Sequence, residues 1–180
     1  MKKVQISLFA IGGLGWTLWL HAETPVEVTL VDELDEPRAG YCLDTRGSQN
    51  DDEVLGLQSH SCRSYRGAFA EDQTFDADLV PEGAFQIIEL GVCMTARDLS
   101  AGSELTFEPC DVSIAQRFEH AANGWIIPST APENCVTVSS GPPRSAMGGS
   151  PPHKVRDVTL ELCDADLQSR QSWQLREPSE

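Results

Sequence analysis

Six cysteines and four histidines are the residues whose side chains could bind metal, form disulfides or act as nucleophiles. They are Cys42, Cys62, Cys93, Cys110, Cys135 and Cys163, with His21, His60, His120 and His153. The sequence holds no Cys-x-x-Cys pair and its histidines are scattered, which disfavours a zinc site. An even cysteine count behind an export signal favours disulfides instead, although the count alone leaves their connectivity open.

The carboxylates offer no comparable chemistry. No spacing among the many acids singles out a general acid and a general base. Neither a Gly-x-Ser-x-Gly elbow nor a Gly-rich phosphate loop occurs in the sequence. The acidic run Asn50–Glu53 is a candidate calcium site. It lacks the spacing of an EF-hand loop, however, and is better explained as a solvated loop. We therefore expect no catalysis, no cofactor and no bound metal.

The first residues have the layout of a secretory signal peptide. Lys2 and Lys3 precede an apolar run from Ile6 to Leu20, and His21-Ala22 ends it with a small residue. An uncleaved membrane anchor is the alternative, but a run of about fifteen residues is shorter than the roughly twenty that span a bilayer. We expect cleavage after residue 22 and a secreted or periplasmic protein that is not membrane-bound.

The net charge of the chain limits the kinds of partner that it can bind. The formal net charge is −15, and loss of Lys2 and Lys3 with the signal makes the mature protein more negative still. Such a surface repels nucleic acid and anionic membranes, so neither is expected as a partner. The remaining length suits one domain, which we expect to be a monomer.

A glutamine two residues before a large aromatic follows each successive pair of cysteines. These pairs are Gln73 with Phe75, Gln116 with Phe118, and Gln171 with Trp173. Short apolar or alternating segments, broken by Gly, Pro, Asn and Ser, lie between the markers and predict strands and tight turns. The internal repeat thus predicts an all-β protein of three units and about twelve short strands. Three units are too few for a propeller.

This compound pattern resembles the ricin B-type lectin family, whose fold is a β-trefoil. The resemblance covers residues 38–176, in repeats at about 38–82, 83–123 and 124–176. Residues 1–22 are then the signal peptide and residues 23–37 an N-terminal segment. The third unit departs from the other two, because its cysteines stand 28 positions apart rather than 20 and 17. The excess, residues 139–153, is rich in Pro, Gly and Ser and predicts an inserted surface loop.

The resemblance implies a disulfide within each repeat and a shared aromatic core. The implied pairs are Cys42–Cys62, Cys93–Cys110 and Cys135–Cys163, so the trefoil is disulfide-stapled. Phe75, Phe118 and Trp173 are expected in the core near the pseudo-threefold axis. Trp125 is expected in a core strand, with exposure at the boundary of two repeats as the alternative.

The resemblance also implies a ligand site. In this family a repeat can hold a sugar between an Asp two residues after its first cysteine and a ring two residues before its second. A polar residue four before the second cysteine, and often an Asn or Asp before the glutamine, complete the site. The first repeat fits best and supplies the expected sugar-binding residues Asp44, Gln58, His60, Asp72 and Gln73. His60 stands where Trp or Tyr is more usual, and Asp44 is expected to be an exposed acceptor. The alternative is that Asp44 only caps the turn at 45–47.

The other two repeats do not fit that pattern. Thr95 and Thr137 replace the acid, and Glu108 and Glu161 replace the ring. Both repeats are expected to act as scaffold.

The sequence therefore predicts an exported, lectin-like β-trefoil that binds carbohydrate weakly through its first repeat, with galactose- or xylose-type glycans as the candidate ligands. A Kd near 1 mM, about −4 kcal/mol, would be ordinary for one such site. The alternative is a protein-interaction or inhibitory module of the cell envelope that has lost sugar binding and uses residues 139–153 as its contact surface. A glycoside hydrolase is a more distant third possibility.

Overall fold

The computed structural model describes residues 23–47, 55–64 and 70–177. The predicted signal peptide and the acidic run Asn50–Glu53 lie outside these residues. Within them, no helix is long and apolar enough to cross a membrane.

The described chain is built almost entirely of short strands, which confirms the all-β prediction. The strands are β1 (Pro25–Leu30), β2 (Tyr41–Arg46), β3 (Leu55–Ser61), β4 (Phe75–Asp76), β5 (Gln86–Ile87), β6 (Val92–Thr95), β7 (Thr106–Pro109), β8 (Phe118–His120), β9 (Ile126–Pro128), β10 (Asn134–Val138), β11 (Arg144–Ser145), β12 (Lys154–Leu162) and β13 (Trp173–Arg176). The helical pieces are single turns: 3-10 helices at Val80–Glu82, Ile114–Gln116 and Ala165–Leu167, and α1 at Gln168–Gln171.

The strands form three units of four, with β11 as an addition to the third unit. The outer strands of the units form a barrel, in which β1 pairs with β13 and β4, β4 with β5, and β8 with β9. The inner strands form the hairpins β2–β3, β6–β7 and β10–β12, and β3 also pairs with β7 and β12. This architecture is a β-trefoil, as predicted.

Strand β1 lies in the segment 23–37, which the sequence analysis placed ahead of the repeats. It is the first strand of the first unit, because it pairs with the last strand of the chain, with Leu30 opposite Trp173. No cysteine or glutamine marker precedes it in the sequence, so the repeat pattern did not reveal it.

The core is formed where the three units meet. Phe75, Phe118 and Trp173 are at most 1% exposed, and the Trp173 indole N–H donates to the carbonyl of Val136 at 2.8 Å. Burial of such rings stabilises the fold by about 25 cal/mol per Å² of apolar surface. Trp125 is only partly buried and forms an isolated bridge with Ser172, so it lies at the edge of the core.

Each unit carries its own disulfide, with Cα–Cα distances of 5.0, 4.9 and 5.1 Å for Cys42–Cys62, Cys93–Cys110 and Cys135–Cys163. Each bond joins the second strand of a unit to the residue just after its third strand. The trefoil is therefore disulfide-stapled, with the pairing that the resemblance implied.

Residues 139–153 form a hairpin, which we call the inserted hairpin. Its strand β11 pairs with the start of β12, and Ala146 N–H donates to the carbonyl of His153 at 2.8 Å. Gly148 and Gly149 form its tip with φ of +87° and +77°, values that favour glycine. Most of its residues are exposed, but the end of the hairpin packs against the first unit.

Candidate binding sites

The glutamine of each Gln-x-aromatic motif ties together three points of its repeat. In the second repeat, Gln116 accepts the N–H of Asp111 at 2.7 Å and donates to the carbonyl of Pro109 and the hydroxyl of Thr95, both at 3.0 Å. In the third repeat, Gln171 makes the equivalent bonds with Asp164, Leu162 and Thr137 at 2.9, 2.9 and 3.0 Å. The residue two after the first cysteine is therefore a buried acceptor for this amide.

In the first repeat, Asp44 takes the place of the two threonines. Gln73 accepts the N–H of Arg63 at 3.0 Å and donates to the Asp44 carboxylate at 2.7 Å. Position 44 thus has the same architectural task as positions 95 and 137, but a carboxylate performs it.

Asp44 is consequently not the exposed acceptor that the sequence predicted. Its exposed fraction is 1%, because β2 turns this side chain inward to meet Gln73. Burial raises the pKa of Asp44 to about 7, and the nearby charge of Asp72 adds to the rise, while the Gln73 amide and Arg63 oppose it. The Arg63 guanidinium lies 3.7 Å from the carboxylate.

His60 does not offer a free ring face. It is 4% exposed, its Nδ1 lies 2.8 Å from the carbonyl of Ser61, and its ring meets the His153 ring edge-on at 5.1 Å. Burial lowers the pKa of His60. Since Nδ1 also lies 3.8 Å from the Asp44 carboxylate, the imidazole sits between that acid and the inserted hairpin.

The remaining predicted residues divide between the cluster and the strands. Asp72 is half-buried and pairs with Arg63 at 3.1 Å, so Arg63 bridges the two acids. The half-buried Gln58 instead donates to the carbonyl of Thr45 at 2.9 Å, within its own strand pair. The sequence analysis overlooked Arg63, whose place directly after Cys62 is its only signal.

The second repeat is occupied by an ion pair. Glu108, at the ring position, lies 2.6 Å from the guanidinium of Arg97, while Thr95 is buried under Gln116. The equivalents of His60 and Asp44 in this repeat are therefore engaged by Arg97 and Gln116 respectively.

The third repeat contains an open cleft of about 690 Å³, which sequence reasoning missed. Thr137, Thr159, Glu161 and Arg170 line it, and they are the equivalents of Asp44, Gln58, His60 and Asp72. The rest of the lining is Ala101, Val138, Ser139, Ser140, Gly141, Leu162, Cys163, Asp164 and Leu167. All four positions that the family pattern uses thus face one hollow in this repeat.

The chemistry of the cleft suits a polyhydroxy ligand. Glu161 accepts the Thr159 hydroxyl at 2.9 Å and keeps further lone pairs for ligand hydroxyls, as does the exposed Asp164. Leu162 and Leu167 are 61% and 37% exposed and give the cleft an apolar side. Arg170 is held by the carbonyl of Ser139 at 2.7 Å.

A further cluster of polar side chains lies beside the Cys42–Cys62 disulfide and has a structural role. Glu27, Cys42 and Cys62 come close enough to share an ion, but the two sulfurs are bonded to each other. The buried Glu27 carboxylate is matched by the Ser64 hydroxyl at 2.6 Å and by Arg176 at 2.8 Å.

No protein-family model matches the sequence, and no curated protein matches it either. Solved structures do share its fold. The β-trefoil lectin of the Vibrio vulnificus hemolysin/cytolysin, solved with N-acetyl-D-lactosamine, superposes with a TM-score of 0.55 at 17% identity, covering 88% of this chain and 98% of that one. The agglutinin of Abrus precatorius gives 0.58 at 13% identity over 86% of this chain, which spans about half (47%) of the agglutinin chain.

The C-terminal domain of an earthworm lectin, solved as a mutant with 6'-sialyllactose, gives a TM-score of 0.56 at 14% identity, covering 84% of this chain and 97% of that one. At such identities the similarity shows the fold alone. The chain has the β-trefoil fold found in these lectins.

Proposed function

We propose that this chain is a lectin-like carbohydrate-binding module without catalytic activity, and that sugar binds in the third-repeat cleft. One observation carries the proposal: the four positions at which ricin B-type repeats hold sugar all line one open cleft in the third repeat. The neighbouring structures with bound lactosamine and sialyllactose support the ligand class.

The cleft would recognise a sugar by two kinds of contact. Glu161 and Asp164 accept hydrogen bonds from vicinal hydroxyls, which are strong because the acceptor is charged. Leu162 covers the C–H face of the sugar, a task that an aromatic ring performs in most sites of this kind. With an aliphatic platform in place of a ring, binding is weak, with Kd on the order of 1 mM. Several copies displayed together would be needed for firm attachment.

The test is a glycan array followed by titration of the mature protein, with galactose- and xylose-type glycans as the first ligands. Glu161→Gln removes the charge from one acceptor and should weaken binding about tenfold, because a charge-assisted hydrogen bond is worth about 1.5–3 kcal/mol. Glu108→Gln, the equivalent change in the second repeat, is the matched control and should leave affinity unchanged. If a glycan binds the Glu161→Gln protein as tightly as wild type, the site lies elsewhere.

The first-repeat residues Asp44, Gln58, His60, Asp72 and Gln73 form a second sugar site in this proposal. Their hydrogen-bonding groups are the right kind, but Asp44 and His60 must first become accessible. If Asp44→Ala abolished sugar binding while Glu161→Gln left the affinity unchanged, the principal site would lie in this repeat.

A protein-interaction module is the second candidate function. Met147 is 97% exposed at the tip of the inserted hairpin, and a polarizable, flexible Met suits a pocket on a partner protein. A photoreactive residue at position 147 would crosslink such a partner. A silent glycan array together with a single crosslinked species, lost when the hairpin tip is shortened, would favour this function.

We also propose that the protein works after export, in the periplasm or outside the cell, as a monomer. Three disulfides with no free cysteine among the described residues suit an oxidising compartment. Amino-terminal sequencing of the exported protein should begin at Glu23, and sedimentation should give the mass of one chain. A start at Met1 would contradict cleavage.

A further inference from the structure

The inserted hairpin belongs to the third repeat but packs against the first. His153, at its end, is 4% exposed and backs the ring of His60. Its imidazole also packs against Gly149, where any side chain would collide with that ring. The His153 ring is therefore held between the hairpin tip and the first-repeat cluster.

Polar interactions lie on both sides of the contact between the His153 and His60 rings. The N–H of Lys154 donates to the Ser61 hydroxyl at 2.8 Å, and its ammonium lies 3.2 Å from the Asp35 carboxylate. On the other side, Arg38 donates to the carbonyl of Ser150 at 3.2 Å. Asp35 and Arg38 lie in the β1–β2 loop, so the hairpin is fastened to the first repeat as well as to its own. Within the third repeat, Arg170 donates to the carbonyl of Ser139 and Arg144 pairs with Asp157.

Polar contacts rather than packing in the hydrophobic core hold the hairpin. The hydrophobic core contains no residue between 139 and 153, and both residues of β11 are exposed. The ladder between β11 and β12 is two residues long. A segment with few buried apolar contacts opens at a lower free energy than the whole domain.

The hairpin and Asp44 are linked through His60. The His60 Nδ1 lies 3.8 Å from the Asp44 carboxylate, and the centroid of its ring lies 5.1 Å from that of the His153 ring. Lifting the hairpin would therefore remove the His153 ring from His60, while Asp44 stays bonded to Gln73.

We propose that the inserted hairpin is a displaceable cover of the first repeat: closed, it covers the ring of His60, and open, it presents that ring, beside the Arg63–Asp72 ion pair, to a polyhydroxy ligand. The ligand in this statement rests on the proposed carbohydrate-binding function, whereas the cover itself does not. The arrangement leaves the third-repeat cleft open while the first-repeat site stays closed.

Acylation of histidines by diethyl pyrocarbonate, located by peptide mass spectrometry on the full mature chain, tests the cover without any sugar. In wild type, His60 should react more slowly than the partly exposed His120. His153→Ala removes the backing ring and should speed acylation of His60 about tenfold, the effect of losing roughly one good contact from the closed state. Met147→Ala, in the same hairpin but pointing into solvent, is the matched control and should change nothing.

Arg38→Ala is the second variant, in case His153→Ala perturbs folding. It releases the carbonyl of Ser150 and should speed acylation of His60 by a smaller factor, with unchanged circular dichroism. A wild-type His60 that reacts as fast as His120, or folded His153→Ala and Arg38→Ala proteins in which His60 stays protected, would overturn the cover.

The ligand is tested separately in a protein that carries both Glu161→Gln and His153→Ala. Titration with the glycan found for wild type should show tighter binding than for Glu161→Gln alone, and a further His60→Ala substitution should remove that gain. Acylation of His60 without tighter binding would overturn the ligand assignment and support the cover alone. Failure of the whole carbohydrate proposal appears instead as a silent array for wild type, and it leaves the acylation result unaffected.

Discussion

Replacing Asp44 with threonine should make the protein more stable above neutral pH. Thr95 and Thr137 receive the same glutamine amide in the other repeats, so a hydroxyl fits this position of the fold. The substitution keeps an acceptor for Gln73 and removes a buried charge, and it makes the three repeats alike at this point.

The pKa of Asp44 gives the size and the pH range of the effect. It rises from 3.8 to about 7 on folding, or roughly 3 units, and each unit corresponds to about 1.4 kcal/mol. The upper limit of the penalty is therefore about 4 kcal/mol. Because the folded pKa is raised, the folded state holds a proton that the unfolded state has lost between about pH 4 and 7. The penalty is absent below this range, grows across it and is complete above it.

Part of the gain is offset because the variant loses the charge-assisted bond from Gln73 and the proximity of Arg63. We expect a net stabilisation of about 1–3 kcal/mol at pH 8 and a much smaller difference near pH 4. Urea unfolding of both proteins, with disulfides intact, measures this directly. Thr95→Asp is the converse control and should destabilise the protein at pH 8 more than at pH 5.

A less stable Asp44→Thr protein at pH 8 would refute the reasoning. That result would mean that the carboxylate gains more from Arg63 and Gln73 than it loses by burial. The pH dependence of the difference matters more than its absolute size, because the opposing contribution of His60, whose pKa is lowered, is present in both proteins.

Two further predictions concern the scaffold. Trp173→Ala should cost about 3–5 kcal/mol, since it empties the centre of the core and frees the carbonyl of Val136, whereas the partly buried Trp125→Ala should cost less; equal melting temperatures for the two variants would contradict the core assignment. Replacing Cys135 and Cys163 together with serine should cost about 3 kcal/mol through the longer unfolded loop, and peptide mapping of the variant without reduction should still find Cys42–Cys62 and Cys93–Cys110.

The fold could be predicted from the repeat pattern because the markers of each unit lie close together in the sequence. Two cysteines and a Gln-x-aromatic per unit were enough to indicate the resemblance, which implied the strand arrangement, the disulfides and the buried rings. Strand β1 lacked any marker, so its place depended on a partner at the far end of the chain.

The state of the candidate site was harder to predict, because it depends on distant residues. The burial of Asp44 is imposed by Gln73, 29 positions away, and the closure of His60 by His153 from another repeat. The third-repeat cleft takes its shape partly from residues 139–141 of an insertion that has no counterpart in the other units. Residue types could identify these positions, but only the packing shows which of them face solvent.

The pairing of β1 with β13 has a consequence for the order in which the chain folds. Each disulfide closes a loop of 17 to 28 residues, whereas the ion pair between Glu27 and Arg176 spans 149 positions. The entropy lost on closing a loop grows with its length, so contacts within a repeat form more readily than the joint between first and last strands. Each hairpin can therefore acquire its disulfide before the later segments of the chain have folded. The barrel closes only when residues 173–176 have formed β13. Until then, the edge of β1 that pairs with β13 has no partner.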